Sequence, residues 1–301
     1  MVDPRDHAAT ASFLHHEFAS QKFADVRYLN WFYDNSPNGA AINGTEDDDH
    51  GRLANYSLVP QRWRNGTTTA QLGITVDACV RAGAQRGGVF SGLAERVFAE
   101  SFEVGIEGTL TIANANSTPA FVNKLGFSKL NSLPVVLIPA FRLTLGVAHV
   151  DIDDVSIDAL ASDCAKRTSV GWIHDWDAAA LRWRLASPAN DYVLHRDNDV
   201  WCVSTRSTFA RWPIAVILAL VPREGRRALS AAAVIARACR HHRAPLAIHA
   251  GINSDVIVRG LPIPRPFLPS PLNLLVRGFG SRTNASLTDV GTYEFLDTDH
   301  F

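Results

Sequence analysis

Hydrophobic positions in the first half of the chain recur with two different periods, and a glycine-rich turn separates them. A strand-like apolar stretch ends at Val80, and a helical period follows from about Phe90 to Val104. The apolar positions of this helix lie three or four residues apart: Phe90, Leu93, Ala94, Val97, Phe98 and Phe102. Gly105 is placed to end the helix as a C-cap. The pattern predicts an amphipathic helix that packs on a sheet and leaves its amino end free.

The second half of the chain repeats this order of signals. An apolar strand over 214–221, a turn and a helix over about 228–241 follow one another. In each half the helix leads to a short strand that stops at an Asn-Ser turn, and a tryptophan-bearing helix that ends at Ser-Pro precedes the strands. A fixed order of unlike signals indicates two related domains, which we place at 1–148 and 149–301.

The two copies differ in their turns. Only the first has a glycine pair, Gly87-Gly88, before its helix, whereas Pro-Arg-Glu-Gly follows Val221 in the second. The first also contains the polar stretch 43–51, which we expect to form an exposed loop that the second lacks. The last residues, 293–301, are predicted to form a final strand.

Composition narrows the class of protein. The 301 residues are 47% hydrophobic and 20% charged, as in a soluble globular protein of one or two domains. A formal net charge of -1 provides no surplus of cations, so we expect no nucleic-acid partner. The strongest apolar run is bounded by Pro213 and Pro222 and is too short for a membrane span. Four cysteines without zinc-type spacing, and an amino terminus without a signal-peptide pattern, favour a cytoplasmic protein that binds no metal.

The glycine-rich turn has the properties of a phosphate-binding site. A strand that runs into glycines and then a helix presents unobstructed backbone N–H groups at the positive end of the helix dipole. The turn lacks the Gly-Lys-Ser/Thr of a Walker loop and the G-x-G-x-x-G of a dinucleotide fingerprint. A glycine-rich turn without any ligand remains the alternative.

Two motifs resemble those of the GNAT N-acyltransferase superfamily. Residues 85–91, Gln-Arg-Gly-Gly-Val-Phe-Ser, follow Val80 and are similar to the acyl-CoA pyrophosphate loop of that family. About 25 residues further on, Asn114-Ala-Asn116-Ser117 precedes a helix that closes on Leu-Gly-Phe, like the second signature of the family. The resemblance implies an α/β (α+β) fold of two tandem GNAT-like domains, each a mixed, mostly antiparallel sheet flanked by helices. The second domain would be degenerate, without the CoA loop.

The resemblance also implies how acetyl-CoA or another short acyl-CoA would bind as co-substrate. In the loop that Gln85 opens, backbone N–H groups would hold the pyrophosphate; the loop residues are Arg86, Gly87, Gly88, Val89, Phe90 and Ser91. The backbone at Cys79 and Val80 would pair with the pantetheine and polarise the acyl carbonyl. The turn of Asn114, Asn116 and Ser117 would contact the pantetheine arm.

Acyl transfer to an amine requires a base. Asp77 is the candidate, because a period of two places Thr75, Asp77 and Cys79 on one face of the strand. The alternative is that Asp77 caps a neighbouring backbone group. The family's usual acid, a tyrosine, is replaced by Val122, with Phe121 beside it.

The acceptor-binding helices of the family correspond to the region of His16, Tyr33 and Asp34, which are alternatively plain helix surface. Tandem GNAT chains of this type resemble bacterial enzymes that acylate amino sugars, including nucleotide-linked ones for surface polysaccharide. The expected function is therefore transfer of a short acyl group from acyl-CoA to a primary amine by direct attack. A GNAT-fold protein that binds CoA without turnover is the alternative, and tRNA-dependent aminoacyl transfer is disfavoured by the net charge.

Overall fold

A computed structural model describes residues 6–85, 88–140, 149–168, 170–209, 211–268, 270–280 and 287–298. The chain divides into two compact units. Unit 1 comprises Met1–Arg62, Ala70–Asn131 and Asn273–Thr288. Unit 2 comprises Trp63–Thr69, Ser132–Leu272 and Asp289–Phe301. Three segments therefore build each unit, whereas the sequence prediction divides the chain once, between 148 and 149.

In unit 1 the chain order of elements begins with helices and continues with a hairpin. The elements are α1 (His7–Phe18), α2 (Val26–Leu29), a π-helical turn (Asn30–Asp34), β1 (Ile42–Asp48), β2 (Gly51–Asn65), β3 (Thr68–Val80), α3 (Val89–Glu103), β4 (Gly108–Ala113), α4 (Thr118–Leu125) and β5 (Ser128–Ser132). The end of β2, the start of β3 and the last residue of β5 belong to unit 2. Later in the chain, β15 (Asn273–Gly278) returns to this unit. The predicted strand end at Val80 and the predicted helix after the glycines are confirmed.

Unit 2 follows the same plan. Its elements are β6 (Val135–Pro139), α5 (Asp154–Ala165), β7 (Ile173–His174), α6 (Ala178–Leu185), β8 (Val193–Arg196), β9 (Val200–Phe209), β10 (Trp212–Pro222), β11 (Leu229–Ser230), α7 (Ala232–His242), β12 (Leu246–Asn253), β13 (Val256–Ile257), β14 (Leu261–Pro262) and β16 (Thr292–Glu294). Helix α7 begins a turn later than predicted, because residues 229–230 pair in parallel with β13 instead.

The two large sheets share one arrangement, and the predicted fold class is confirmed. One has the strand order β1-β2-β3-β4-β15-β5 with β7 on β2, and the other β14-β6-β12-β10-β9-β8 with β16 on β12. In each, a hairpin strand continues through a helix into a parallel neighbour, β3–α3–β4 or β10–α7–β12. The strand pairs β1–β2, β9–β10, β6–β12 and β4–β15 are antiparallel.

Each sheet also contains a strand from the other half of the sequence. Strand β6, which precedes the predicted boundary, pairs with β12 of unit 2 from Leu246↔Pro139 to Ala250↔Val135. Strand β15 pairs with β4 of unit 1 from Asn273↔Ala113 to Gly278↔Gly108. The two halves of the chain therefore exchange strands.

The polar stretch 43–51 forms strand β1 and its turn rather than the predicted loop. Its residues pair with β2 in antiparallel register. Three of its carboxylates are neutralised by arginines of unit 1: Glu46 by Arg96, Asp47 by Arg52 at 2.8 Å, and Asp48 by Arg81 at 2.9 Å. These ion pairs allow an acidic segment to lie along the sheet edge.

The structure also bears on membrane and metal binding. Within the described part of the chain, no helix is long and apolar enough to cross a membrane. Among the same residues, no group of three or more His, Cys, Asp and Glu side chains is arranged to hold a metal ion.

Candidate functional site

The central feature of unit 1 is a gap between two parallel strands. Strands β3 and β4 pair only from Leu72↔Gly108 to Ile74↔Leu110. Beyond Ile74 and Leu110, β3 continues to Val80 and β4 continues to Ala113, but their residues no longer pair with each other. Where they separate, the Thr111 hydroxyl donates to the Thr75 carbonyl at 3.0 Å. A side-chain bond therefore replaces the backbone ladder at the start of the gap.

The conformation of Asp77 accounts for the separation. Its φ of 51° lies in the left-handed region, which is uncommon inside a strand for a residue other than glycine. Asn55 of β2 donates its Nδ2 to the Asp77 carbonyl at 2.8 Å and fixes this conformation. The prediction that Thr75, Asp77 and Cys79 share one face assumes a period of two along β3. The conformation of Asp77 interrupts this period.

One of the backbone groups predicted to contact the co-substrate faces the gap. Arg81 donates its N–H to the Leu53 carbonyl of β2 at 2.8 Å. Because N–H groups alternate between the two edges of a strand, the N–H of Val80 points toward the gap and that of Cys79 toward β2. Val80 is therefore the better placed of the two predicted donors.

Helix α3 begins immediately beyond this strand end. Gly88 is its N-cap with a φ of 78°, and a Cβ added there would meet no atom within 4 Å. The N–H groups of Val89, Phe90 and Ser91 belong to the first turn, which has no intrahelical acceptors for them. Predicted residue Gln85 is exposed, and Arg86 and Gly87 lie outside the described residues. The open space at Gly88 and the N–H groups of this first turn fit a pyrophosphate.

The Phe90 ring anchors this helix end. It lies 5.8 Å from the Tyr56 ring and 5.7 Å from the Phe121 ring, measured between centroids. Both partners are buried in the core of unit 1. The aromatic side chain at this motif position therefore packs inward and leaves the backbone toward solvent.

The second motif forms a tight turn at the end of β4. The Asn114 Oδ1 accepts from the backbone N–H of Asn116 at 2.9 Å and of Ser117 at 2.8 Å, and from the Ser117 hydroxyl at 3.1 Å. Asn114 therefore shapes the start of α4, and Asn114 and Asn116 remain exposed. Their contact with a pantetheine arm stays a prediction.

A buried polar network surrounds Asp77. The Tyr33 hydroxyl donates to Asp77 Oδ2 at 2.8 Å and accepts from the Ser57 hydroxyl at 2.8 Å. Asn43 Nδ2 donates in turn to Ser57 at 2.6 Å. Burial, reinforced by the Asp77 charge, raises the pKa of Tyr33 well above its usual value. The phenol is therefore protonated at neutral pH and acts as a donor to the carboxylate.

A cation and a thiol also lie near Asp77. Lys22 Nζ lies 4.0 Å from Asp77 Oδ1. Burial, with smaller contributions from Asp77 and Glu17, raises the pKa of the Cys79 thiol well above its usual range. A protonated thiol is a poor nucleophile, so Cys79 is poorly suited to form a covalent intermediate.

The three residues predicted to bind the acceptor have different polar partners. Tyr33 reaches Asp77, whereas Asp34 pairs with His7 at 2.9 Å. His16 is exposed and contacts Glu17 at 3.3 Å. Val122, at the position of the usual acid of the GNAT family, is half-buried. Its side chain packs against the core of unit 1.

Sequence reasoning missed four members of the network: Lys22, Asn43, Asn55 and Ser57. A signal was present for two of them. Asn55 and Ser57 are fully buried polar residues two apart on β2, so they share a face in a stretch that is otherwise apolar.

Comparison with known proteins identifies the fold. No protein-family model matches the sequence, and no curated protein matches it significantly. Among solved structures, a GCN5-related N-acetyltransferase from Anabaena variabilis ATCC 29413 is similar with a TM-score of 0.62 and 12% identity. The match covers 90% of this chain and 70% of that one.

Two further structures agree. A conserved protein of unknown function from Enterococcus faecalis V583, described as a probable N-acyltransferase, has a TM-score of 0.60 at 9% identity, covering 92% of this chain and 71% of that one. Eis1 from Mycobacterium abscessus has a TM-score of 0.54 at 12% identity, covering 94% and 74%. At these identities the likeness establishes the fold, which is that of GCN5-related N-acetyltransferases.

Proposed function

We propose that this protein transfers an acetyl or other short acyl group from acyl-CoA to a primary amine in unit 1. The observation that carries the proposal is the opening between β3 and β4 beyond Ile74 and Leu110, with Asp77 at its wall and the free end of α3 beyond it. The backbone donor on the edge of β3 and the N–H groups of α3 suit the thioester carbonyl and the pyrophosphate of an acyl-CoA, and the carboxylate suits the attacking amine.

In this reaction the chain's residues have distinct tasks. The N–H of Val80 polarises the acyl carbonyl, and the N–H groups of residues 89–91 hold the phosphates. Asp77 accepts a proton as the amine attacks the carbonyl carbon and the C–S bond breaks, and the thiolate leaves as the free thiol once it is protonated. Tyr33, as a donor to Asp77, orients the carboxylate.

The acceptor we propose is an amino sugar, including nucleotide-linked forms, as the resemblance to tandem GNAT chains implies. The negative charges of the buried Asp77 and the largely buried Glu17 both raise the pKa of Cys79. Two carboxylates in one region favour the binding of a substrate that arrives as a cation. The proposal includes a cytoplasmic location, which the free state of Cys79, Cys164, Cys202 and Cys239 supports.

One observation favours a second function. Val122 stands where the family's acid would be, so a protein that binds CoA without turnover is the alternative. Both functions require acyl-CoA binding, and only the first releases thiol.

The test mixes the protein with acetyl-CoA and a panel of amines, nucleotide-linked amino sugars first, and follows free thiol. We expect acetyl-CoA binding by calorimetry and acceptor-dependent thiol release that Asp77→Asn slows. Binding without release for any acceptor establishes the scaffold instead. Absence of binding contradicts both functions.

A further inference from the structure

Unit 2 has a gap of the same kind as the one in unit 1. Strands β10 and β12 pair in parallel only from Ile214↔Leu246 to Ile217↔His249. The register of β10 with β9 shifts between Ile217 and Ala219, directly after the last parallel pair. Both strands continue, β10 to Pro222 and β12 to Asn253. An irregularity in the hairpin strand again coincides with the point of separation.

This second gap is filled by the chain itself. Strand β16 pairs with the outer end of β12, from Gly251↔Glu294 to Asn253↔Thr292. The Gly251 N–H donates to Pro134 on the β6 side, so alternation directs Ile252 toward the β10 side, where it pairs with Tyr293. Strand β16 therefore lies between the diverging ends of β10 and β12.

The Glu294 carboxylate occupies the centre of the gap. Its Oε2 accepts from the backbone N–H of Leu220 at 3.2 Å and from Asn253 Nδ2 at 3.1 Å. Its Oε1 lies 2.8 Å from His249 Nε2. Asn253 Nδ2 also donates to the Leu220 carbonyl at 2.8 Å. Both backbone groups of Leu220 are thus satisfied by side chains.

Leu220 in unit 2 and Val80 in unit 1 are comparable, because both lie past a strand irregularity and both present their N–H to the gap rather than to the hairpin partner. In unit 1 the N–H of Val80 is the proposed donor to an acyl carbonyl. In unit 2 the N–H of Leu220 is already bound to a carboxylate oxygen from within the unit.

The segment 292–298 that supplies this carboxylate is buried over its whole length. Asp297 Oδ1 accepts from Trp176 Nε1 at 3.2 Å and lies 3.1 Å from His174 Nδ1. Arg167 donates to the Thr292 hydroxyl at 2.7 Å, and Arg184 donates to the Leu296 carbonyl at 3.0 Å. The segment is held at both ends and cannot leave without exposing several buried charges.

We propose that unit 2 retains a carboxylate-binding site, formed by the Leu220 N–H, Asn253 and His249, and that Glu294 is its permanent internal ligand. The site holds the 292–298 segment where unit 1 would hold acyl-CoA, so unit 2 binds no acyl-CoA. The correspondence with unit 1 rests on the proposed function, whereas the occupancy of the gap in unit 2 does not.

The first test removes the internal ligand from the full chain. In Glu294→Ala, we expect the Leu220 amide to exchange with deuterium at least about tenfold faster, while the opposite β9–β10 bonds stay protected. Glu224→Ala, which removes an exposed carboxylate of the same unit, is the matched control. Unchanged protection of Leu220 in Glu294→Ala overturns the proposal.

The second test replaces the missing side chain with a free carboxylate. Sodium acetate should raise the melting temperature of Glu294→Ala and restore the protection of Leu220, whereas sodium chloride and acetamide at equal concentration should not. If Glu294→Ala fails to fold, acetate present during refolding should recover folded protein. Equal effects of acetate and chloride in both protocols overturn the proposal.

Binding stoichiometry distinguishes this inference from the proposed function. We expect calorimetry to give one acetyl-CoA per wild-type chain. Two per chain would overturn the proposal that unit 2 binds no acyl-CoA. None would contradict the function proposed for unit 1 and would still agree with a filled gap in unit 2.

Discussion

The Tyr33 hydroxyl donates to the Asp77 carboxylate at 2.8 Å, and this bond connects the turn after α2 to the irregular point of β3. Both residues are buried, with 1% and 8% of their surface exposed. The contact joins positions 44 residues apart in the sequence. It fixes the orientation of a carboxylate on the strand that borders the gap.

Loss of this hydroxyl should slow turnover without weakening acyl-CoA binding. A hydrogen bond to a charged group contributes about 1.5–3 kcal/mol, so Tyr33→Phe should lower kcat by roughly tenfold or more. Acetyl-CoA affinity from calorimetry should stay within about threefold, because the Tyr33 hydroxyl contacts Asp77 and Ser57, whereas the proposed phosphate donors are the N–H groups of residues 89–91. Tyr192→Phe, which removes a buried hydroxyl bonded to Arg184 in unit 2, is the control and should leave kcat unchanged.

Removal of the Asp77 charge should have a larger effect. Asn is the suitable replacement, because it tolerates the left-handed backbone conformation at this position better than most residues. Asp77→Asn should reduce kcat by about 100-fold or more if the carboxylate is the base, while acetyl-CoA affinity is retained. Steady-state thiol release, with circular dichroism to verify folding, measures this. Unchanged turnover would remove Asp77 from the mechanism.

Much of this site could be predicted from sequence, because its backbone signals are local. The strand end at Val80, the glycines and the amphipathic helix occupy one continuous segment. The network around Asp77 could not be predicted in the same way, since Lys22, Tyr33 and Ser57 come from separate elements. Their contacts depend on how helices and sheet pack, which periodicity does not specify.

The acidic strand β1 and the exchanged strands illustrate a second limit. Composition marks residues 43–51 as solvated, yet Arg96, 50 residues from Glu46, neutralises that side chain in the folded chain. Strands β6 and β15 have the same local pattern whichever sheet they join, so only tertiary packing decides their partners. The sequence predicts a final strand over 293–301; of these residues 293 and 294 lie in β16, which pairs with β12, and Phe295–Asp297 form a 3-10 turn. Residues 299–301 lie outside the described residues.

The amino end of α3 should tolerate no side chain that blocks the phosphates. Gly88→Glu adds a charged group in a left-handed conformation, and we expect acetyl-CoA affinity to fall by at least about 100-fold. Gly105→Glu is a matched control, because Gly105 has a φ of 89°, open space around it and a position at the other end of the same helix. The control should bear similar backbone strain and keep its affinity. Equal losses in both variants would place the phosphates elsewhere.

The Cys79 thiol should be dispensable for turnover. Burial, Asp77 and Glu17 keep its pKa well above the usual range, so the thiol stays protonated at neutral pH. We expect Cys79→Ala to retain kcat within about threefold and wild-type protein to show no acyl-enzyme by mass spectrometry. An acylated Cys79 in a rapid-quench sample would instead require a covalent mechanism.

A cluster of histidines in unit 2 should make the protein less stable in mild acid. Ser204 Oγ lies 2.8 Å from Nε2 of both His195 and His242, and the His241 ring is 5.0 Å from that of His242. Burial, and then His241 and Arg206, lower the pKa of His242 to about 4. The folded state therefore prefers neutral His242, whereas the unfolded chain takes up a proton near pH 6.5.

The stability that neutral His242 contributes is fully present above about pH 6.5. It is lost as the pH falls toward 4, because the unfolded state then binds the extra proton. The melting temperature of the wild-type protein should drop by about 2–4 °C per pH unit over this range from His242 alone. His242→Gln keeps a polar atom near Ser204 without a titratable ring, so its melting temperature should depend less on pH. His16→Gln, at an exposed position, should follow the wild-type curve. Parallel curves for His242→Gln and the wild type between pH 7 and 4.5 would show that the buried ring does not couple protonation to folding.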